Sequence, residues 1–376
     1  MALDSHNNVF GRTLNPINTK LTAGGSSGGE GALMAIKGSV LGVGTDVGGS
    51  IRVPAYAGGV YGLKGSWERI PYAGQEGGAK GGEAKLGIAA SAGPLARSVR
   101  DIDLFYRAVS AQRPWEKDPD VVPAIWETLP TIPTDRPLRI GILRRDGVTE
   151  THPPIQTILT EVRTALSKTG VQAVEMDISP LLSQCQSLAN SLFNIFGGNH
   201  MFDILEATSE PLSPWLTNRL KRKPELSLDK LRELQHRRTE LQQKFLSVWR
   251  DAQGQEIDAF VCPVAPHPVP EVDRWNGVSW TSAFVLLDHA AGVVPIRQFQ
   301  ESDLQGEFQG KPIGGWDARA RELWDQGNVD RKVYLGSPLG VQVVCPRLAE
   351  RKLVDVMGII DSAIKFATTG EKSAKL

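Results

Sequence analysis

Three serines stand among glycines near the start of the chain, Ser26 and Ser27 in "GGSSGGEG" and Ser50 in "DVGGSIRVP". A serine hydroxyl attacks a carbonyl only when a base takes its proton and preorganised donors hold the oxyanion that forms. The run Val47-Gly48-Gly49-Ser50 can supply such donors, because consecutive backbone N–H groups in a glycine turn converge into an anion-binding nest. Each donor of this kind is worth roughly 2.7–4 kcal/mol in an acyl-transfer transition state. Taken alone, "DVGGS" is read more simply as a tight strand turn that needs glycine.

Other serine, phosphate and metal chemistries fit less well. Gly24-x-Ser26-x-Gly28 matches the G-x-S-x-G nucleophile elbow, but that elbow follows a strand deep within a sheet, and "NPINTKLTA" is not strand-like. An esterase of the α/β-hydrolase type would also require a later histidine, for which His267 and His289 are the candidates; neither lies in a context that marks it. No G-x-x-x-x-G-K-[ST] occurs, "GVGTDV" lacks the last glycine of a dinucleotide loop, and the six histidines show no H-E-x-x-H or close pairing.

The elements that must position these serines can be read from periodicity. Ser27-x-x-Glu30 followed by "GALMAIKG" predicts a capping box opening a short helix. "SVLGVGTD" reads as a buried strand, and "GGSIRVPAYAGGVYGLKG" as a glycine-punctuated segment threading past it. Residues 65–93 read as a polar, Gly-rich loop. "SVRDIDLFYRAVSA" is helical in period, the proline-rich run 113–137 reads as an extended connection between two lobes, and "LRIGIL" reads as a strand.

Further on, Ile155, Ile158, Leu159, Val162 and Leu166 follow helical spacing. So do Leu231, Leu234, Leu241, Phe245 and Val248, and then Leu353, Met357, Ile360 and Ile364. "IDAFVCPVAP" and "LGVQVVC" have strand character. Strands alternating with helices argue for an α/β fold.

The chain has 376 residues, enough for a large core, and its 42 Lys and Arg balance its 42 Asp and Glu. No basic field therefore attracts nucleic acid or anionic lipid. Three widely spaced cysteines, Cys185, Cys262 and Cys345, without a C-x-x-C pair, fit a reducing compartment. With no signal-peptide pattern and no long apolar run, a cytoplasmic location is expected.

Together, "GGSSGGEGAL" and "GTDVGGSIRVP" resemble the amidase signature family. "GVYGLKG" resembles that family's G-L-K-P-[ST] continuation, with Gly65 in place of the proline. "DAFVCPVAPHPVP", "TSAFVLLDHAAGVVPI" and "SPLGVQVVCPRLAERKLVDVMGIID" resemble its C-terminal blocks, so the likeness spans nearly the whole chain. Its flavour is that of the fungal general amidases or acetamidases.

The resemblance implies a central mixed β-sheet covered by helices on both faces. It implies one domain over 1–376, with a serine-loop core at 1–112, the Pro-rich connection at 113–137 and a C-terminal lobe at 138–376. It also implies a Ser-cisSer-Lys triad without metal or cofactor. By position Ser50 is the nucleophile, and Ser26 is the bridging serine next to a cis peptide bond. Val47, Gly48, Gly49 and Ser50 form the oxyanion hole, while Ser27, Thr45, Asp46 and Arg52 brace the loops.

The family's lysine base lies well upstream of the first serine loop, and Lys20, the sole lysine before Ser26, is in the wrong motif context. Lys37 and Lys64 read as structural. The catalytic lysine is thus expected to be absent, and "MALDSHNNVFGRTLNPINTK" reads as the middle of a family member, which predicts an N-terminally truncated amidase. The expected reaction is hydrolysis of linear carboxamides through an acyl-serine. The alternatives are a catalytically impaired or inactive remnant and, less favoured, the α/β-hydrolase esterase. The expected partner is a small amide, with no nucleic acid or membrane and with room for a homodimer. Substrate entry is expected along residues 65–93 and around Phe193 to His200 and Trp275 to Trp280.

Overall fold

The computed structural model describes residues 3–75, 80, 82–213, 216–217 and 220–369. A small antiparallel pair, β1 (His6–Asn7) and β2 (Gly11–Arg12), precedes α1 (Gly28–Ala35), β3 (Gly42–Asp46), α2 (Arg52–Gly58) and β4 (Tyr61–Lys64). Then come α3 (Glu83–Leu86), β5 (Ser91–Ala96) and α4 (Val99–Ala111). After the proline-rich connection follow β6 (Arg139–Leu143), α5 (Pro153–Ser167), β7 (Gln172–Met176), α6 (Ser179–Leu192), α7 (Asn199–Ala207) and α8 (Leu228–Leu246). The remaining elements are β8 (Ala259–Pro263), α9 (Ser279–Leu286), β9 (Ala290–Gln298), α10 (Gly315–Arg321), β10 (Pro338–Cys345) and α11 (Glu350–Thr369).

Eight strands make one sheet in the order β3-β5-β4-β9-β10-β8-β6-β7. It is mixed, since β6 pairs parallel with β7 and β8 while the other pairs are antiparallel. Because β9 lies between β4 and β10, strands from before and after the 113–137 connection share this sheet.

Strand alternation sends successive side chains to opposite faces, and two cores result. Along β8, Ala259 and Val261 join the residues of α2, α4, α5 and α11, whereas Phe260 and Cys262 join those of α6, α8 and α9. The helical stripes read from the sequence are the buried faces: Ile155, Ile158, Leu159 and Val162 on α5 and Leu353, Met357 and Ile360 on α11 enter the first core. Leu234, Leu241 and Phe245 on α8 enter the second. Among the described residues no helix is long and apolar enough to cross a membrane.

Three local expectations are corrected. The predicted capping box does not form: α1 begins after Ser27 without a side-chain cap, because the Ser27 hydroxyl is engaged with the backbone of Thr45 on β3 instead. The segment expected to thread past β3 contains a helix, α2, which Gly59 ends in the left-handed region at φ 64°. Within 65–93, residues 76–79 and 81 lie outside the described set, and the rest holds α3 and the start of β5. β5 escapes a propensity reading because "SAGPLA" is poor in β-branched residues. Gly93 is there because a Cβ at that position would stand 2.1 Å from the Leu63 carbonyl oxygen.

Candidate active site

Ser50 lies where β3 gives way to α2, in a turn organised by the last residue of the strand. The fully buried Asp46 carboxylate accepts the N–H groups of Gly49 at 2.6 Å, Ile51 at 3.2 Å and Arg52 at 3.4 Å. It is also gripped by the Arg52 guanidinium, Nε to Oδ2 at 2.9 Å and Nη2 to Oδ1 at 3.0 Å. Arg52 continues to the Gln342 side-chain oxygen on β10 at 2.6 Å and to the Thr281 carbonyl on α9 at 3.0 Å. Burial alone pushes the Asp46 carboxyl up, but the charge and hydrogen bonds of Arg52, aided by Lys64 and the Gly49 N–H, outweigh it and hold the group below its ordinary value.

The same turn is fixed from the other side. Thr281 Oγ1 donates to the Gly48 carbonyl at 2.6 Å. Gly49 adopts φ 125°, and a Cβ there would lie 2.7 Å from Thr281 Oγ1, so only glycine fits. Gly49 therefore contributes conformation to the turn while its N–H is taken up by Asp46. The N–H groups of Val47, Gly48 and Ser50 have no acceptor among the described residues.

The second serine loop packs directly against the first. The Ser27 N–H donates to the Ser50 carbonyl at 3.1 Å, and the Ser27 hydroxyl lies 3.2 Å from the Thr45 nitrogen and 3.4 Å from its oxygen. The peptide bond between Gly25 and Ser26 is cis. Ser26 is exposed, whereas Ser50 is buried. Ser5 secures the exposed loop: its Oγ stands 3.1 Å from the Gly24 carbonyl oxygen and 3.0 Å from that of Ser26, and accepts the Gly28 N–H at 3.0 Å. Gly25 permits the approach, since a Cβ there would meet the Asp4 carbonyl oxygen at 2.2 Å.

The expected residues Ser26, Ser27, Thr45, Asp46, Val47, Gly48, Gly49, Ser50 and Arg52 thus occupy two stitched loops. The sequence does not mark Ser5, Thr281 or Gln342, since a lone Ser, Thr or Gln outside the loops carries no motif.

The lysines and histidines have other tasks. Lys20 and Lys37 are exposed. Lys64, fully buried on β4, donates to the His289 carbonyl at 2.8 Å and stands 3.8 Å from Asp288. Burial lowers its pKa, with Asp288 opposing. His267 Nδ1 donates to the Pro268 carbonyl at 2.8 Å while Nε2 accepts the Gly277 N–H at 2.9 Å, so both nitrogens are engaged, and burial pushes it down to about 4. His289 is buried among Phe245, Trp249 and Phe284, and is pushed down to about 3 by burial and the Lys64 charge. Both imidazoles are neutral core groups, which removes the support that an esterase reading needs.

Of the expected entry segments, Phe193 borders the Ser50 turn, its ring edge 3.5 Å from where a Cβ on Gly48 would stand. Trp275 packs against His267 and Trp316, while Trp280 is a fully buried core residue.

The chain is 30% identical over 365 residues to an acetamidase of Aspergillus oryzae, covering 95% of this chain and 65% of the relative. An acetamidase of Emericella nidulans is 31% identical over 370 residues, with the same two coverages of 95% and 65%. The chain therefore spans just under two thirds of the length of these curated relatives. A solved fatty acid amide hydrolase superposes with a TM-score of 0.82 at 29% identity, over 97% of this chain and 63% of that one. With a family model described as Amidase matching residues 1–354, on a mixed sheet that carries both glycine-serine loops, the chain belongs to the amidase family.

Proposed function

We propose that this chain hydrolyses linear carboxamides, R–CO–NH2, to the carboxylic acid and ammonia through an acyl-serine intermediate. The observation that carries the reading is the bond from the Ser27 N–H to the Ser50 carbonyl, which seats the Ser26 loop against a turn in which the N–H groups of Val47, Gly48 and Ser50 have no acceptor among the described residues. Ser50 Oγ attacks the amide carbon as its proton passes to Ser26 Oγ, and the proton that Ser26 Oγ gives up in exchange is returned to the leaving nitrogen. The oxyanion is received by the N–H groups of Val47, Gly48 and Ser50, donors that need no reorganisation because Asp46, Arg52 and Thr281 already fix the turn. Collapse breaks the C–N bond as the leaving nitrogen takes a proton, and water then cleaves the Ser50 ester. The acetamidase relatives support a small acyl group, with no metal or cofactor in the sequence of steps.

A second reading, an impaired catalyst, is favoured by the lysines: Lys64 donates to His289 and Lys20 and Lys37 face solvent. A fluorophosphonate probe with peptide mapping tests both. Labelling of Ser50 with ammonia released from acetamide is expected. Labelling of Ser50 without ammonia favours the impaired catalyst, and labelling of Ser26 or of neither serine overturns the proposal. We place the chain in the cytosol, where its three buried free cysteines stay reduced; burial pushes Cys185 and Cys262 up to about 12 and keeps them inert.

A further inference from the structure

A cavity of about 240 Å³ is lined by residues of α3, α8 and α9. Its wall includes Val285, one helical turn along α9 from the Thr281 and Ser282 that flank Gly48 and Gly49. Three cations line it, and two are already neutralised. Arg347 pairs with Asp288 at 2.7 Å and with Glu68, and Lys85 pairs with Asp120 at 2.6 Å.

Arg238, projecting from α8, differs. Its Nε donates to the Leu286 carbonyl at 2.9 Å and its Nη1 to the Gly87 carbonyl at 3.1 Å, while no carboxylate lies within ion-pair distance among the described residues. Burial lowers its pKa, with the Asp288 charge opposing and the Arg347 charge adding. A half-buried guanidinium whose described partners are carbonyl dipoles is an incomplete arrangement, since its planar fork is shaped for a carboxylate. Gln242, four residues on along α8, presents its side chain to the same cavity, and Trp67 and Val285 supply apolar wall for an organic body.

We propose that this cavity binds the carboxylate group of a small organic monoanion, held by Arg238 with Gln242 as a second donor. One charge is specified because Glu68 and Asp288, which line the same cavity, repel a second. The carboxylate is either that of a free acid or the far end of an amide substrate, and only the second source rests on the hydrolase reading.

The test titrates the full chain with butyrate at low ionic strength, followed by calorimetry, with chloride as control. The key variant is Gln242→Glu, which supplies an internal carboxylate one helical turn from Arg238 at nearly constant volume. Saturable butyrate binding that weakens at least tenfold in Q242E, and equally in Arg238→Gln, is expected. The melting temperature of Q242E should match or exceed the parent, which separates loss of binding from loss of fold.

Butyrate binding unchanged in Q242E, no saturable binding in the parent, or an equal response to chloride overturns the proposal. The source is settled by the ratio of kcat/KM for glutaramate to that for butyramide: a tenfold fall of this ratio in Q242E assigns the carboxylate to the substrate, and a constant ratio alongside lost butyrate binding assigns it to a free acid. Should neither amide be hydrolysed, the hydrolase reading fails while butyrate binding still decides this one.

Discussion

Ser26 is exposed in a turn whose backbone is held by hydroxyls, those of Ser5 and Thr22, and by one bond to the Ser50 carbonyl, whereas Ser50 sits in a buried turn held by a carboxylate and a guanidinium that solvent does not reach. Apart from the Ser27 N–H bond to the Ser50 carbonyl, the Ser26 loop is fastened to its own neighbourhood, Ser5, Thr22 and β3. The Ser50 turn is fastened across the molecule, through Arg52 to β10 and through Thr281 to α9. In chemical terms, the group proposed to become covalently modified needs its oxyanion donors fixed in advance, and a buried ionic fork does this more rigidly than neutral hydroxyls. The proposed relay serine needs only to stay within reach.

The sharpest way to break this contrast is Arg52→Met. It leaves Asp46 buried and unpaired, and removing one partner of a buried ion pair typically costs about 3–5 kcal/mol. Urea denaturation should show a loss of this size, and fluorophosphonate labelling of Ser50 should fall even under conditions where the variant remains folded. A loss below about 1 kcal/mol, the scale of an exposed pair, would place the organisation of the turn elsewhere.

Acid should strike the same side of the contrast. His267 and His289 are neutral in the folded protein, with pKa values pushed down by burial from the ordinary 6.5 to about 4 and about 3. Because the unfolded chain binds the proton first, their contribution to stability is complete above pH 6.5 and is lost as pH falls through 6.5 toward the folded values. For His267, whose pKa drops from 6.5 to about 4 on folding, this amounts to about 3 kcal/mol. Both support the Ser50 side, since the His267 carbonyl accepts the Tyr56 hydroxyl of α2 and the His289 carbonyl accepts Lys64. Stability measured from pH 7 to pH 4.5 should therefore decline, and His267→Gln should flatten the decline. Asp46, depressed by Arg52, adds its own loss only in stronger acid, below the ordinary carboxylate range.

The contrast also explains what could be read from the chain beforehand. The glycine-serine loops, β3, and the stripes on α5, α8 and α11 were legible because each is a local pattern: turn chemistry, alternation or helical spacing. The strand β5 and the helix α2 were not, since both are packed through small residues whose fit depends on a partner. Gly93 against the Leu63 carbonyl is one such fit, and Gly31, where a Cβ would stand 3.0 Å from Pro54, is another. At the site, Asp46 and Arg52 lie within the motif and are read with it. Thr281 and Gln342 reach the turn only through the fold, and no spacing in the sequence connects them to residues more than two hundred positions earlier. The lone Ser5 escapes a sequence reading although it is near, because a single hydroxyl before a glycine loop has no distinguishing pattern.

Ser5 also sets the lower end of the comparison. Ser5→Ala removes the acceptor of the Gly28 N–H and the donor shared between the Gly24 and Ser26 carbonyls. The loop is part-buried to exposed, so water replaces much of what is lost, and the expected destabilisation is about 1 kcal/mol, the net worth of an ordinary hydrogen bond. Amide exchange separates this from a global effect: the Gly28 N–H should exchange faster in Ser5→Ala, while the Gly49 N–H, bonded to buried Asp46, keeps its protection. Equal acceleration at both amides would mean that the two turns open as one unit, and the Ser27 to Ser50 bond would then be the stronger link between them. Acceleration at Gly28 alone would show that the proposed relay loop moves independently of the proposed nucleophile turn, which is what unequal anchoring requires.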